Sequence, residues 1–152
     1  MKKLVIANRG AGGIGKSASV KAVYYLLKNR GYHSILEEWQ YEAETGDIKA
    51  IFDIRGVKVG IESQGDPGYD MKEAMEELVE AGCEIIVTAC RTKSDTYHKV
   101  TDYLGDENGY DILWAAHYVY LAPNADDTRD LLNARYAQQV LQLIEDRIAD
   151  KL

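Results

Sequence analysis

Eight residues near the start of the chain constrain it most: Gly10-Ala11-Gly12-Gly13-Ile14-Gly15-Lys16-Ser17. They satisfy the pattern G-x-x-x-x-G-K-[ST] at every fixed position, and they sit between two segments of opposite periodicity. Before them, Leu4-Val5-Ile6-Ala7 is a short apolar run, the signature of a buried strand. After them, Val20, Val23, Tyr24 and Leu27 fall at i, i+3, i+4 and i+7, the stripe of an amphipathic helix over Lys16–Arg30. Gly31 is a fitting stop, because glycine enters the left-handed cap without steric cost. A strand, a glycine-rich turn and a helix in this order form a cradle for phosphate. Backbone N–H groups of Gly10 to Ile14 can point inward, and Gly15, Lys16, Ser17 and Ala18 open a helix whose dipole favours an anion. The Lys16 ammonium is suited to the β and γ phosphates, and the Ser17 hydroxyl to Mg²⁺. With its head reserved for phosphate, Lys16 is expected to face solvent.

The rest of the chain alternates in the same way. His33 is followed by an expected strand Ser34–Trp39, whose tip is acidic through Glu37, Glu38, Glu42, Glu44 and Asp47. Ile48–Ile54 and Val57–Ile61 read as a hairpin about Arg55-Gly56. A helix opens at Asp70, with Glu73 completing a capping-box-like start, and Met71, Met75, Leu78 and Val79 on one face before Gly82. Glu84–Ala89 reads as a strand and Ser94–Leu104 as a helix with Tyr97, Val100 and Leu104 inward. Tyr110–Leu121, almost wholly apolar, reads as a parallel strand covered on both faces. Asp126–Asp150 carries Leu132, Tyr136, Val140, Ile144 and Ile148 at four-residue steps, a last helix. Strands alternating with helices predict an α/β fold: one domain over 1–152, a mainly parallel sheet with helices on both faces, and one β-hairpin.

Composition narrows the partners. The 152 residues are 46% hydrophobic and 28% charged, with a formal net charge of −7 and no basic stripe, which argues against nucleic acid as the main ligand. The leading apolar run is too short for a signal peptide. The run Ile112–Ala122, broken by His117, is too short to span a bilayer, so a cytoplasmic protein off the membrane is expected. Cys83 and Cys90 lack C-x-x-C spacing and read as reduced core thiols. His33, His98 and His117 show no metal-ligand spacing.

With these residues in view, the chain resembles the P-loop NTPases. Residues Gly12 to Ser17, with the helix ending Leu26-Leu27-Lys28-Asn29-Arg30-Gly31-Tyr32, are similar to the opening of the ParA/MinD-type ATPases. The resemblance covers residues 1 to about 40 and implies ATP with Mg²⁺ and the possibility of a homodimer. That family carries a signature lysine, contacting phosphate across the dimer, where this chain has Ala11. Arg9 is the nearest cation that could compensate.

The other candidates follow from what a phosphate loop needs. A carboxylate at the tip of a neighbouring strand must serve the metal, and Glu62 after Val57–Ile61 is the candidate. Its strand is expected to end beside the Gly10–Ser17 loop. In Glu62-Ser63-Gln64-Gly65-Asp66, Gly65 could offer its N–H to the γ-phosphate, and Gln64 or Asp66 could position water or an acceptor. Of Glu37 and Glu38, the latter is the preferred base. Arg91, after the strand ending at Cys90, could bind phosphate because its planar fork matches phosphate oxygens. Thr92-Lys93-Ser94-Asp95 matches the T-K-x-D guanine motif, but only one helix and one strand separate it from Gly65, a position that argues against GTP. Three functions fit these residues: Mg²⁺-dependent ATP hydrolysis in a small ATPase or switch; transfer of the γ-phosphate to a small-molecule or nucleotide acceptor; and a non-catalytic nucleotide-binding module that engages a protein partner.

Overall fold

The computed structural model describes residues 1–10, 15–40, 46–64, 69–92 and 95–152. Among the described residues, six strands form a single mixed sheet: β1 (Leu4–Arg9), β2 (His33–Trp39), β3 (Ile48–Ile54), β4 (Val57–Glu62), β5 (Ile85–Cys90) and β6 (Asp111–Trp114), in the spatial order β2-β3-β4-β5-β1-β6. The pairs β4/β5, β5/β1 and β1/β6 are parallel, and β2/β3 and β3/β4 are antiparallel. The α/β expectation holds in this mixed, mostly parallel form.

Period-two alternation divides β1 between two cores, although its sequence is continuously apolar. Leu4 and Ile6 pack with α1 (Lys16–Asn29) and α4 (Asp126–Ile148), through Val20, Val23, Tyr24 and Leu27 and through Tyr136, Val140 and Ile144. Val5 and Ala7 pack on the opposite face with Met75 and Leu78 of α2 (Tyr69–Glu80) and with Val100 and Leu104. Helices therefore cover both faces. The β3–β4 turn falls on Arg55 and Gly56, both at positive φ (54° and 83°), with Asp53 Oδ1 accepting from the Gly56 N–H at 2.8 Å. Two left-handed residues give the hairpin twist that matches its strands.

Gly60 marks a close approach between sheet and helix. A Cβ there would stand 3.0 Å from a Leu78 methyl and 3.1 Å from Cys83 Sγ. Gly60→Val is expected to overpack this contact and destabilise the fold by about 1–3 kcal/mol. Thermal unfolding should show a midpoint lowered by roughly 2–4 °C for each kcal/mol in a chain of this size. An unshifted midpoint would show that α2 can move away without cost.

Two expectations about elements are corrected. The strand expected over Tyr110–Leu121 pairs only over Asp111–Trp114, against β1, with Ala115 N–H donating the last bond to Ala7 O. β6 is an edge strand, not one covered on both faces. Beyond it the chain leaves the sheet, and Tyr118, Val119, Tyr120 and Leu121 are exposed. The apolar run reports surface as well as core. The helix expected over Ser94–Leu104 is one α-helical turn, α3 (Asp95–His98), continued by a π-helical segment Lys99–Glu107. Ser94, the expected cap, lies outside the described residues, as does the side chain of Met71. Both cysteines are free and buried, and burial pushes the Cys83 thiol up to about 12 and Cys90 up to about 11. No helix among the described residues is long and apolar enough to cross a membrane.

Candidate functional site

Parallel pairing brings the C-terminal ends of β1, β4, β5 and β6 to one edge of the sheet, and α1 starts there. Gly15 immediately precedes α1 with φ +92°, a left-handed conformation that side chains resist. Ala11, Gly12, Gly13 and Ile14 lie outside the described residues. Lys16 does not face solvent as expected. It is 4% exposed, and its Nζ donates to Gly10 O at 2.8 Å. A buried ammonium requires acceptors, and the loop's own carbonyl supplies one. The charge is thus held between the end of β1 and the start of α1.

Ser17 carries the most informative contact. Its Oγ donates to Asp47 Oδ1 at 2.7 Å, and Ser63 Oγ donates to the same oxygen at 2.9 Å. Ser63 is itself held by two bonds to Ile48: its Oγ accepts from the Ile48 N–H at 2.9 Å, and its own N–H donates to Ile48 O at 3.1 Å. The start of α1, the start of β3 and the end of β4 are therefore tied at one carboxylate. A hydroxyl has one hydrogen and two lone pairs. With its hydrogen on Asp47, Ser17 has lone pairs available to a cation. Asp47 stood in the sequence only as one acid of a cluster. The signal that could have singled it out is the hairpin, which pairs Lys49 with Glu62 and so returns Asp47 to the tip of β4.

Glu62 ends β4 as expected, but β4 does not lie beside β1: β5 runs between them. Glu62 is 3% exposed, and its Oε1 accepts from the Gln64 N–H at 2.6 Å. Glu38, Asp47, Lys49, Glu62, Gln64 and Glu77 share the lining of a cavity of about 220 Å³. Lys49 bridges Glu38 at 2.9 Å and also pairs with Glu77. Burial works to lower the Lys49 pKa, but the hydrogen bonds of Glu77 and Glu38 outweigh it and hold the ammonium above the ordinary lysine value. Glu37 and Glu38 point to opposite sides of β2, as neighbours on a strand must. Glu37 is paired with Lys28 of α1 at 2.8 Å, away from the cavity. Gly65 and Asp66 lie outside the described residues.

Arg91 follows β5 at the same sheet edge, half-buried, with its backbone N–H donating to Thr96 Oγ1 at 2.9 Å. Arg9 donates to Thr92 O at 3.1 Å and stands over the Tyr97 and Trp114 rings at 4.7 and 5.3 Å. These rings stack on each other at 5.8 Å. Its guanidinium is engaged with the β5–α3 connection. Lys93 of the T-K-x-D segment lies outside the described residues.

On the other flank, a groove of about 480 Å³ is lined by Gly15, Ala18, His117, Tyr120, Asp130 and Asn133 among others. At its floor, His117 meets Asn8, a fully buried amide that follows the apolar run Leu4–Ala7 of β1. That polar residue was the overlooked signal, since a buried amide must be hydrogen-bonded. The described residues contain no group of three or more His, Cys, Asp and Glu that could hold a metal. A cation at Ser17 and Asp47 would take the rest of its oxygens from phosphate and water, as Mg²⁺ does. No family model, curated protein or solved structure matches the chain.

Proposed function

We propose that the chain binds Mg²⁺·ATP at the Gly10–Ser17 loop and hydrolyses it. The observation that carries this reading is the bond from Ser17 to Asp47, because it joins the hydroxyl of the G-x-x-x-x-G-K-[ST] pattern to a carboxylate brought from elsewhere in the chain. Lys16 neutralises phosphate charge from within the turn, and the N-terminus of α1 adds its dipole. Ser17 and Asp47 would hold the metal, Glu62 assisting through water. Mg²⁺ supplies charge stabilisation at the phosphate oxygens. The groove beside Gly15 and Ala18 is the expected seat of the nucleoside.

Glu38, Glu62 and Gln64 border the cavity that adjoins Asp47, so water there stands among hydrogen-bond acceptors able to orient it. The same cavity favours a second reading, transfer to a small acceptor hydroxyl. Turnover of ATP without acceptor supports hydrolysis, and ADP release only with acceptor supports transfer. Binding without any turnover would leave a nucleotide-binding module that signals to a partner.

ATP is expected to outcompete GTP. The T-K-x-D segment follows β5, whereas the groove at Gly15 is built from α1, α4 and the chain after β6. Competition of the two nucleotides in a calorimeter measures this. A GTP affinity tighter by more than about tenfold, roughly 1.4 kcal/mol, would reverse the assignment of the base.

A further inference from the structure

The core-facing stripe of α4 does not stay apolar along its length. Tyr136, Ala137 and Val140 are buried, and the same face carries Asn133 one turn earlier, where α4 comes beside Gly15. Asn133 is half-buried and lines the groove of about 480 Å³ together with Ala18 of α1. Among the described residues its amide makes no hydrogen bond, although it carries two donor hydrogens and an acceptor oxygen. A second wall of the groove is the run Tyr118–Leu121, apolar and exposed. That run is pinned in place. Arg129 donates to Tyr120 O at 3.4 Å and to Ala122 O at 3.3 Å, and Gln139 donates to the Tyr118 hydroxyl at 2.8 Å. Among the described residues no aromatic ring or cation stacks on the Tyr120 ring.

Resting on the phosphate-loop reading, we propose that this groove selects adenine, with Asn133 reading the edge of the base and the Tyr120 ring stacking on its face. On adenine the N6 amino group donates and the neighbouring N7 accepts, a pair that one amide matches with its oxygen and nitrogen together. A purine with O6 in place of N6 shows two acceptors on that edge, and the amide oxygen then has no partner. An aromatic ring stacks on any purine, so Tyr120 adds affinity without choosing between bases. One occupant thus accounts for both features: the polar position on the stripe of α4 and the exposed apolar run each complete their contacts on the base.

Calorimetric titration of the wild-type protein should give a dissociation constant for Mg²⁺·ATP about tenfold below that for Mg²⁺·inosine triphosphate, which carries O6 in place of N6. In Asn133→Ala the two constants should come within about threefold of each other through loss of ATP affinity. Alanine is the strongest helix former, so α4 should persist, and a thermal midpoint measured without nucleotide checks this. Tyr120→Ala should raise both constants about tenfold and keep their ratio. Magnesium tripolyphosphate, which has no base, should bind all three proteins alike. A wild-type ratio near one, an unchanged ratio in N133A, or a loss in either variant that tripolyphosphate shares overturns the proposal. Lys16→Ala is the control for the underlying reading. If wild-type protein binds no Mg²⁺·ATP, or K16A binds it undiminished, the phosphate-loop reading fails. If K16A loses affinity for every probe while N133A keeps the wild-type ratio, only the assignment of the base fails.

Discussion

Lys16→Ala is expected to lower affinity for Mg²⁺·ATP by about 100-fold or more. Charge-assisted hydrogen bonds contribute about 1.5–3 kcal/mol each, and an ammonium between two phosphates makes at least two. Stability should change little. The side chain is buried, and the net value of a bond such as the one to Gly10 O is about 1 kcal/mol. The hydrophobic stripe of α1 is untouched, with Val20, Val23 and Leu27 fully buried. Titration with Mg²⁺·ATP, beside a thermal melt of the same sample, measures both quantities. A folded variant with undiminished affinity and turnover would remove the phosphate-loop assignment. An unfolded variant would show that the lysine's burial is structural in a way that the contact with Gly10 does not convey.

Asp47→Asn should reduce Mg²⁺-dependent turnover by about 100-fold, roughly 2.7 kcal/mol. The amide keeps the size of the carboxylate and can still accept from Ser17 and Ser63, so the three elements joined there should stay together. What it loses is the charge that favours a cation beside the Ser17 hydroxyl. Glu62→Gln should have the smaller effect on turnover, because Glu62 already accepts from the Gln64 N–H, whereas Asp47 is the carboxylate bonded to Ser17. In both variants, nucleotide binding without metal should be little changed. A magnesium titration of turnover for the two variants decides the order. Normal turnover in D47N with loss in E62Q would return the metal to Glu62, and normal turnover in both would direct attention to Glu38.

Much of the fold was legible because short-range rules govern it. The ends of β1 and α1 follow from a change of hydrophobic period across the glycine-rich turn. The hairpin follows from Arg55-Gly56 between β-branched runs. The face of α4 follows from Tyr136, Val140 and Ile144, all buried. The misread segment, Tyr110–Leu121, shows where the rules end. A run of apolar residues records the absence of polar ones, and an exposed groove lining satisfies it as well as a covered strand does.

The order and spacing of the loop's Gly15, Lys16 and Ser17 were determined by the sequence alone, since the three are neighbours and covalent connection sets their spacing. The companions of that loop were decided only by tertiary structure. Strand order placed β5 between β1 and β4, so that the tip of β4 meets Ser17 through Asp47. The hairpin carried Asp47 back to Ser63, and packing of α1 brought Ser17 to it across 30 residues of chain. Asn8 and His117, 109 residues apart, meet because β6 pairs with β1 and the chain then bends over Gly15. Strand order and crossover are set by burial summed over the whole sheet, a nonlocal quantity that no short window of residues contains.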